Sequence, residues 1–353
     1  NYNFASGFPA LAHNTTGGQN TAIGYYAMYC NTSGDRNIAI GPQSLEKNTT
    51  GSNNVALGYR NLNQNTTGPN NVAFGCDTMY SNTTGAYNTA IGKSALHSST
   101  TGNYNIAIGS EALLDSTTGD QNTAIGYQAL NKNTTANNNL AIGTVALCST
   151  TTGELNVALG QASLRNNTTG LRNVAIGANP MFCNTTGQQN VAIGDGAGFK
   201  NTTGSCNVSF GPSARYEGTT GGNNFAAGYL AQGSGSGTGS DNVAIGNQAM
   251  RFVTTGGNNI AAGAVTMHHN TTGDCNLALG KEALRCNTSG SCNIALGPRA
   301  LYHNTGSQNV ALGPLALYHN TTGNFNHAIG DKALYDSTTG SHNTAIGCTA
   351  LQN

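Results

Sequence analysis

The sequence predicts an all-β protein, a parallel β-solenoid (β-roll) of about 21 coils with a 17-residue repeat. Three observations support this fold class. A five-residue phrase recurs at a fixed spacing, its apolar residues alternate as in a β-strand, and Gly and Asn follow where the chain must turn. Residues 20–24 read Asn-Thr-Ala-Ile-Gly and residues 37–41 read Asn-Ile-Ala-Ile-Gly.

The spacing of the phrase decides the domain organisation. Its leading Asn occurs twenty-one times at intervals of 17 residues, broken by one interval of 18 (Asn224 to Asn242) and one of 16 (Asn293 to Asn309). Repeats of this kind pack only on their neighbours, so we predict one continuous array over residues 1–353 with no separate domain. With this Asn as position 0, the repeat reads Asn-Val-Ala-Ile-Gly-x-x-Ala-Leu-x-x-Asn-Thr-Thr-Gly-x-x.

Positions +1 to +4 predict a strand and a tight corner. Most residues at +1 and +3 are β-branched or aliphatic, and +2 is Ala in every copy except Ser209. This alternation places +1 and +3 on one face and the Ala on the other, where we expect a smooth surface for a second chain. Gly occupies +4 in every copy, from Gly7 to Gly347, which predicts a positive φ or a close approach.

The remaining positions complete the predicted coil. The Ala-Leu pair at +7 and +8 predicts a second short strand, and Asn-Thr-Thr-Gly predicts a turn. A helical repeat is the alternative, but it needs about 33 residues or more. Coils about 4.8 Å apart would stack equivalent residues into ladders, including hydrogen-bonded ladders of Asn amides.

The repeat departs from its pattern at about 224–263. Ala227 and Ala262 replace the usual Ile, and residues 233–239 read Gly-Ser-Gly-Ser-Gly-Thr-Gly. We interpret this region as a thinned coil with a flexible loop, serving as a bend or an inter-chain contact.

Composition argues against several functions. Charged residues are 8% and the formal net charge is zero, so we expect no nucleic-acid partner. No apolar run approaches the roughly 18 residues of a membrane span. No carboxylate pair, Ser/His/Asp set or phosphate-binding loop interrupts the repeat, so we expect no enzyme, no metal and no cofactor. His303 and His319 stack on adjacent coils without a carboxylate or Cys cluster, and we expect a polar stripe there.

Asn-x-Ser/Thr, the N-glycosylation acceptor, recurs at position +11. The alternative is that the motif is only turn chemistry, because Thr-Thr-Gly persists without Asn at 99–102 and 337–340. Gly218 and Val253 also occupy +11, so we expect an exposed position carrying N-linked glycans, given a eukaryotic or viral secretory route. The predicted acceptors are Asn14, Asn31, Asn48, Asn65, Asn82, Asn133, Asn167, Asn184, Asn201, Asn270, Asn287 and Asn320.

Nine cysteines are scattered without a CxxC pair. Cys275 and Cys292 share position −1 on adjacent coils, which places their Cα atoms about 4.8 Å apart, within disulfide range. They form the candidate disulfide, with two free thiols as the alternative and Cys286 as a competing partner.

Aromatic side chains recur at position +9. They are expected to stack on sugars or on a neighbouring chain, and a scattered surface stripe is the alternative. The residues are Tyr29, Tyr80, Phe182, Phe199, Tyr216, Tyr302, Tyr318 and Tyr335.

The phrase Asn-(Val/Thr)-Ala-Ile-Gly resembles the coil motif in the heads of trimeric autotransporter adhesins. The longer form at 122–130, Asn-Thr-Ala-Ile-Gly-Tyr-Gln-Ala-Leu, is similar to repeats of phage and viral fibre-like proteins. The resemblance covers the whole chain and implies a left-handed β-roll assembled as a trimer. The adhesin repeats are usually shorter and lack Asn-Thr-Thr-Gly.

These observations predict a structural fibre or filament segment, extracellular or on a cell or virion surface. It would be an N-glycosylated rigid rod that self-associates end to end or side by side, because neither end carries a capping repeat. The alternative is the shaft or head of an adhesin or a phage or viral tail fibre that binds a host surface or carbohydrate. A third hypothesis is ice binding through the Thr ladders.

Overall fold

A computed structural model describes residues 2–235 and 237–352 and confirms the predicted all-β solenoid. Twenty-one parallel strands of three residues follow one another about 17 residues apart, with no helix in the described ranges. Each strand covers positions +1 to +3. The strands are β1 (Phe4–Ser6), β2 (Thr21–Ile23), β3 (Ile38–Ile40), β4 (Val55–Leu57), β5 (Val72–Phe74), β6 (Thr89–Ile91), β7 (Ile106–Ile108), β8 (Thr123–Ile125), β9 (Leu140–Ile142), β10 (Val157–Leu159), β11 (Val174–Ile176), β12 (Val191–Ile193), β13 (Val208–Phe210), β14 (Phe225–Ala227), β15 (Val243–Ile245), β16 (Ile260–Ala262), β17 (Leu277–Leu279), β18 (Ile294–Leu296), β19 (Val310–Leu312), β20 (His327–Ile329) and β21 (Thr344–Ile346).

The chain divides into two compact units, Asn1–Asn173 with strands β1–β10 and Val174–Asn353 with strands β11–β21. Within each unit every strand pairs in parallel with the next one at equivalent residues. In the first unit Ala39 pairs with Ala56, and in the second Ala278 pairs with Ala295. The sequence predicted the coil that both units share, but it did not predict this division.

The Ala at position +2 faces the interior of the coil. Ala39 is 0% exposed, whereas Ile38 and Ile40 on either side of it are each 39% exposed. The predicted alternation is therefore confirmed, but the expected smooth outer Ala face is wrong. A 17-residue coil is narrow, and the small Ala lets its opposite walls approach each other.

Positions +7 and +8 supply the rest of the apolar core, but they form no second strand. Ala95 and Leu96 are fully buried, and Leu96 has a φ of 51°, as Ser94 has one of 54°. A positive φ lies outside the β region, so the prediction of a second strand is wrong. The segment still stacks, because the N–H of Leu96 donates to the carbonyl oxygen of Ala112 on the next coil (2.9 Å).

The invariant Gly at +4 is required for both reasons that the sequence predicted. Gly24 has a φ of 133°, a conformation that L side chains rarely adopt. A Cβ built on it would lie 2.7 Å from the carbonyl oxygen of Gly41 on the next coil. Any larger residue would force adjacent coils apart.

The strands continue unchanged through the region that the sequence marked as irregular. Ala226 pairs with Ala244, and Ala244 pairs with Ala261, so the register holds from β14 to β16. The predicted flexible loop at 233–239 includes Ser236, which lies outside the described residues, so that part of the interpretation stays a prediction. Among the described residues the interior also departs from the pattern, at positions +8 and +11. At +8 the departure begins earlier than predicted, because Gly198 already replaces the usual Leu or Met.

Candidate functional surfaces and interior ladders

The Asn residues at position 0 form a buried ladder, as predicted. In the first unit the backbone N–H of Asn54 donates to Oδ1 of Asn37 on the preceding coil (2.9 Å). Its Nδ2 donates to the same Oδ1 (3.2 Å) and to the carbonyl oxygen of Gly68 (2.9 Å). Asn37 and Asn54 are fully buried, so water cannot replace these hydrogen bonds, and the bonds hold adjacent coils together.

A second ladder runs through the Asn residues at position +11. Nδ2 of Asn48 donates to Oδ1 of Asn31 on the preceding coil (2.8 Å) and to the carbonyl oxygen of Gly51 on its own coil (2.9 Å). Both Nδ2 hydrogens are therefore used. The same pair of bonds recurs at Asn65 and Asn82.

The expectation that position +11 is exposed is therefore wrong. Val253 is also buried at this position. An N-linked glycan replaces one hydrogen of Nδ2 and needs open space, and at Asn48, Asn65 and Asn82 the folded coil offers neither a free hydrogen nor room. N-glycosylation remains a prediction that this geometry opposes. Among the predicted acceptors only Asn14 is partly exposed, and those with at most 1% exposure are Asn31, Asn48, Asn65, Asn82, Asn133, Asn167, Asn184, Asn201, Asn270, Asn287 and Asn320.

The Thr-Thr-Gly segment is a turn that binds the next coil. The backbone N–H groups of Thr49, Thr50 and Gly51 all donate to the carbonyl oxygen of Thr66, at 2.9, 3.2 and 3.4 Å. Oγ1 of Thr49 donates to the same oxygen (3.0 Å), and only the side chain of Thr50 is exposed. One exposed hydroxyl per coil weakens the ice-binding hypothesis, which drew on both threonines.

The candidate disulfide is not formed in this structure. Cys275 and Cys292 lie at equivalent positions of adjacent coils, as predicted, but both are exposed free thiols. Equivalent side chains in a parallel stack point in the same direction, so their Cβ atoms keep the coil spacing of about 4.8 Å. A disulfide needs Cβ atoms about 3.5–4.5 Å apart.

Burial raises the thiol pKa of four other cysteines, Cys30, Cys148, Cys183 and Cys286.

The aromatic residues at +9 stack on one another in the second unit. Phe199 lies between Phe182 and Tyr216, with ring centroids 5.2 and 4.9 Å away and interplanar angles of 10° and 8°. Tyr302, Tyr318 and Tyr335 form a similar column; Tyr80 stacks on His97, and Tyr29 meets His13 edge to face. Within a column each ring face is covered by the next ring, so a sugar could stack only at the column ends.

The predicted histidine stripe is present at His303 and His319, whose rings stack with centroids 5.7 Å apart. Burial, and then the neighbouring charge of His319, lowers the pKa of His303. Across residues 2–235 and 237–352, no group of three or more His, Cys, Asp or Glu is placed to hold a metal ion.

The side chains at +1 and +3 form what we call the outer sheet face. In both units this face is mostly aliphatic or aromatic, with a few Thr, Ser6 and His327, and none of its described residues is Lys, Arg, Asp or Glu. Large apolar side chains are well exposed along it, including Ile38, Ile106, Phe210, Ile245 and Ile260. Such a face is typical of a surface that meets another molecule.

Comparison with known proteins adds no further assignment. No protein-family model and no curated protein matches this sequence. In the described ranges, no helix is long and apolar enough to cross a membrane.

Proposed function

We propose that the chain is a segment of a structural fibre that works through stiffness and self-association, without catalysis or a cofactor. The observation that carries the proposal is the repetition of the same interior hydrogen bonds in coil after coil. Each regular coil is tied to the next by its strand, by the Asn at position 0 and by the Asn at +11. A bend within a unit would break several of these bonds at once, which favours a stiff stack of coils in each unit.

The outer sheet face supports side-by-side association. With coils about 4.8 Å apart and side chains covering a strip about 10 Å wide, the ten coils of the first unit present roughly 500 Å². This lies within the range of about 300–600 Å² for the largest apolar patch on a typical monomer, a patch that is often functional. Because the face lacks charge, a second copy could pack on it without burying an unpaired ion.

The cellular location of the fibre is part of the same proposal. A location outside the cell, or on a cell or virion surface, is supported by the resemblance of the repeat to adhesin heads and fibre-like proteins. N-linked glycans would agree with that location, although the burial of the acceptors opposes them. An unchanged intact mass after enzymatic N-glycan removal would eliminate the glycans and favour the bacterial or phage adhesin-like alternative.

The first prediction tests association through the outer sheet face. The triple variant Ile40→Lys, Ile91→Lys, Ile142→Lys places three charges on this face of the first unit. We expect the wild-type chain to form oligomers or bundles in sedimentation velocity and electron microscopy. We expect the variant to sediment as a monomer, because association would bury unpaired ammonium groups.

A matched control uses the same three coils. Thr50→Lys, Thr101→Lys and Thr152→Lys add the same charge at the exposed +13 position, away from the outer sheet face. This variant should associate like the wild type. A wild-type chain that stays monomeric at high concentration, or a control that loses association equally, would contradict the proposal.

A second candidate function is the shaft or head of an adhesin or tail fibre that contacts a host surface. It is favoured by the well-exposed tyrosines at position +5, namely Tyr25, Tyr59, Tyr127 and Tyr229. Tyr supplies a large contact area with a polar end and is enriched at interfaces. Binding to host-surface glycans that disappears when these four are replaced by Ser would support it.

A further inference from the structure

One coil of the second unit has an arginine where most coils of the chain have a Leu or Met core residue. Arg215 occupies position +8, which is Leu45 in a regular coil and Met250 two coils further on. Its side chain is only 2% exposed. A charged group in this position needs partners, because an unpaired charge in an apolar interior is strongly unfavourable.

The same coil lacks the Asn that would otherwise occupy this space. Gly218 stands at position +11, and a Cβ on it would lie 2.9 Å from Cζ of Arg215. Nη2 of Arg215 donates to the carbonyl oxygen of Gly221 (2.9 Å). In a regular coil the +11 Asn makes this bond, so the guanidinium replaces the missing ladder amide.

The next coil also combines a polar residue at +8 with a Gly at +11, but here the polar residue is neutral. Gln232 occupies +8 and is 4% exposed, while Gly235 occupies +11. Oε1 of Gln232 is buried and has no hydrogen-bond partner. A cavity of about 10 Å³ lies between these groups, which is room for one water-sized occupant. Its lining residues are Arg215, Gly218, Gln232, Gly237, Gly239 and Val253.

The charge of Arg215 is not balanced by a carboxylate. Among the described residues no Asp or Glu lies within ion-pair distance of it. Glu217, two residues away, pairs instead with Lys200 (2.6 Å) in an exposed ion pair. Burial lowers the pKa of Arg215 to about 10, so the guanidinium still carries its charge at neutral pH.

We propose that this cavity binds one monatomic anion, with chloride as the physiological ion, as the counter-ion of Arg215. The volume excludes polyatomic anions such as phosphate or sulfate, and a single chloride ion, which is somewhat larger than a water molecule, is the abundant anion that comes nearest to fitting. A water molecule could accept a hydrogen bond from the guanidinium but would leave its charge unbalanced. Rotation of the Gln232 amide by a half-turn would direct its NH₂ group toward the anion, an orientation that diffraction rarely distinguishes.

The second prediction is that chloride stabilises the full chain through this cavity. Thermal and urea unfolding are measured in sodium chloride and in sodium gluconate at equal ionic strength, because gluconate is too large for the cavity. Above the dissociation constant, each tenfold rise in chloride should raise the folded-to-unfolded ratio about tenfold. Arg215→Met should remove this dependence, because Met is the residue at the same position of other coils.

A second variant covers the case in which Arg215→Met folds poorly. The double variant Arg215→Leu, Gly218→Asn restores both residues of a regular coil, and should be well folded and insensitive to chloride. Bromide-soaked crystals of the wild type should show an anomalous peak beside the guanidinium that the double variant lacks. Equal stability in chloride and gluconate, or a chloride effect that persists in the double variant, would overturn the proposal and assign a water molecule to the cavity.

Discussion

The coil from Asn37 to Asn53 and the coil from Asn207 to Asn223 share a backbone but differ at two interior positions. In the first, Leu45 fills the core and Asn48 donates to the carbonyl oxygen of Gly51. In the second, Arg215 spans both places and donates to the equivalent oxygen of Gly221. In both coils the same carbonyl oxygen also accepts from the position-0 Asn, at 2.8 Å from Asn37 and at 2.9 Å from Asn207, so it has two donors in each coil.

This difference shows which interior requirement is the stricter one. The core accepts Leu, Met, Gly, Arg or Gln at +8, as at residues 198, 215 and 232. The described coils nonetheless keep their strands in register through these exchanges. The Asn at position 0 occurs in every copy, and its bonds to the preceding coil continue through this region, so this ladder is kept more strictly within this molecule than the residues at +8 and +11.

The largest expected loss of stability comes from placing Arg at +8 of the regular coil while Asn48 is kept at +11. Leu45→Arg places a charged side chain in the interior of the regular coil. In the Arg215 coil the guanidinium fits because Gly218 has no side chain, but in the regular coil Asn48 fills the equivalent space. The guanidinium of the variant would therefore lack both room and an acceptor. We expect a loss of about 4 kcal/mol or more in the free energy of unfolding. Urea denaturation followed by circular dichroism measures it.

A double-mutant cycle then tests whether the two positions act together. Asn48→Gly alone should cost about 2–4 kcal/mol, because it leaves buried amide and carbonyl groups of the adjoining coils unpaired. The combination Leu45→Arg with Asn48→Gly should be more stable than the sum of the two losses by about 1–3 kcal/mol. Strict additivity would show that Arg215 does not replace a ladder Asn.

A smaller loss of stability is expected when a glycine of a regular corner is replaced by Ala, and this loss can be compared with that of a glycine in the irregular turn. Gly24→Ala places a Cβ 2.7 Å from a backbone oxygen at a φ of 133°, and should cost roughly 1–3 kcal/mol through strain alone. Gly237→Ala meets its nearest atom at 3.5 Å, an ordinary contact, and should change the unfolding midpoint little in sodium gluconate, where no chloride occupies the cavity that Gly237 lines. Equal losses in both variants would contradict the view that only the regular corners are closely stacked.

The last comparison is a pH dependence of stability at His268, which lies on the coil that follows Met250 and Val253. Burial, then the nearby His269, Arg285 and Arg251, lowers the pKa of His268 from its ordinary 6.5 to about 4. As the pH falls from 6.5 towards 4, the unfolded chain takes up a proton that the folded chain excludes, so stability should fall across this window and level off below it.

The control for this pH dependence is His268→Gln, which keeps a polar side chain without the titration. The difference between wild-type and variant melting temperatures should be constant above pH 6.5 and should shift against the wild type below it. A difference that does not change with pH would show that His268 is protonated equally in the folded and unfolded chains.

The sequence by itself determined the architecture. The repeat has a period of 17, an invariant Gly at +4 and a strand with alternating residues. Few other folds fit this pattern, because the hydrogen bonds of each coil can be completed only by an equivalent coil stacked on it. The strand at +1 to +3, the need for Gly24 and the Asn ladder at position 0 followed from local chemistry. Even the equivalence of Cys275 and Cys292 on adjacent coils followed from the period alone.

The tertiary structure decided which side of each segment faces inward. Alternation shows that Ala39 and Ile40 lie on opposite faces, but both are apolar, so only the narrow coil selects the Ala for the interior. Asn48 belongs to a motif typical of exposed turns, and its burial results from the partners that stacking provides. The role of Arg215 became visible only when Gly218 and Gly221 were brought beside it, because a compensating pair is recognised by contact and not by pattern.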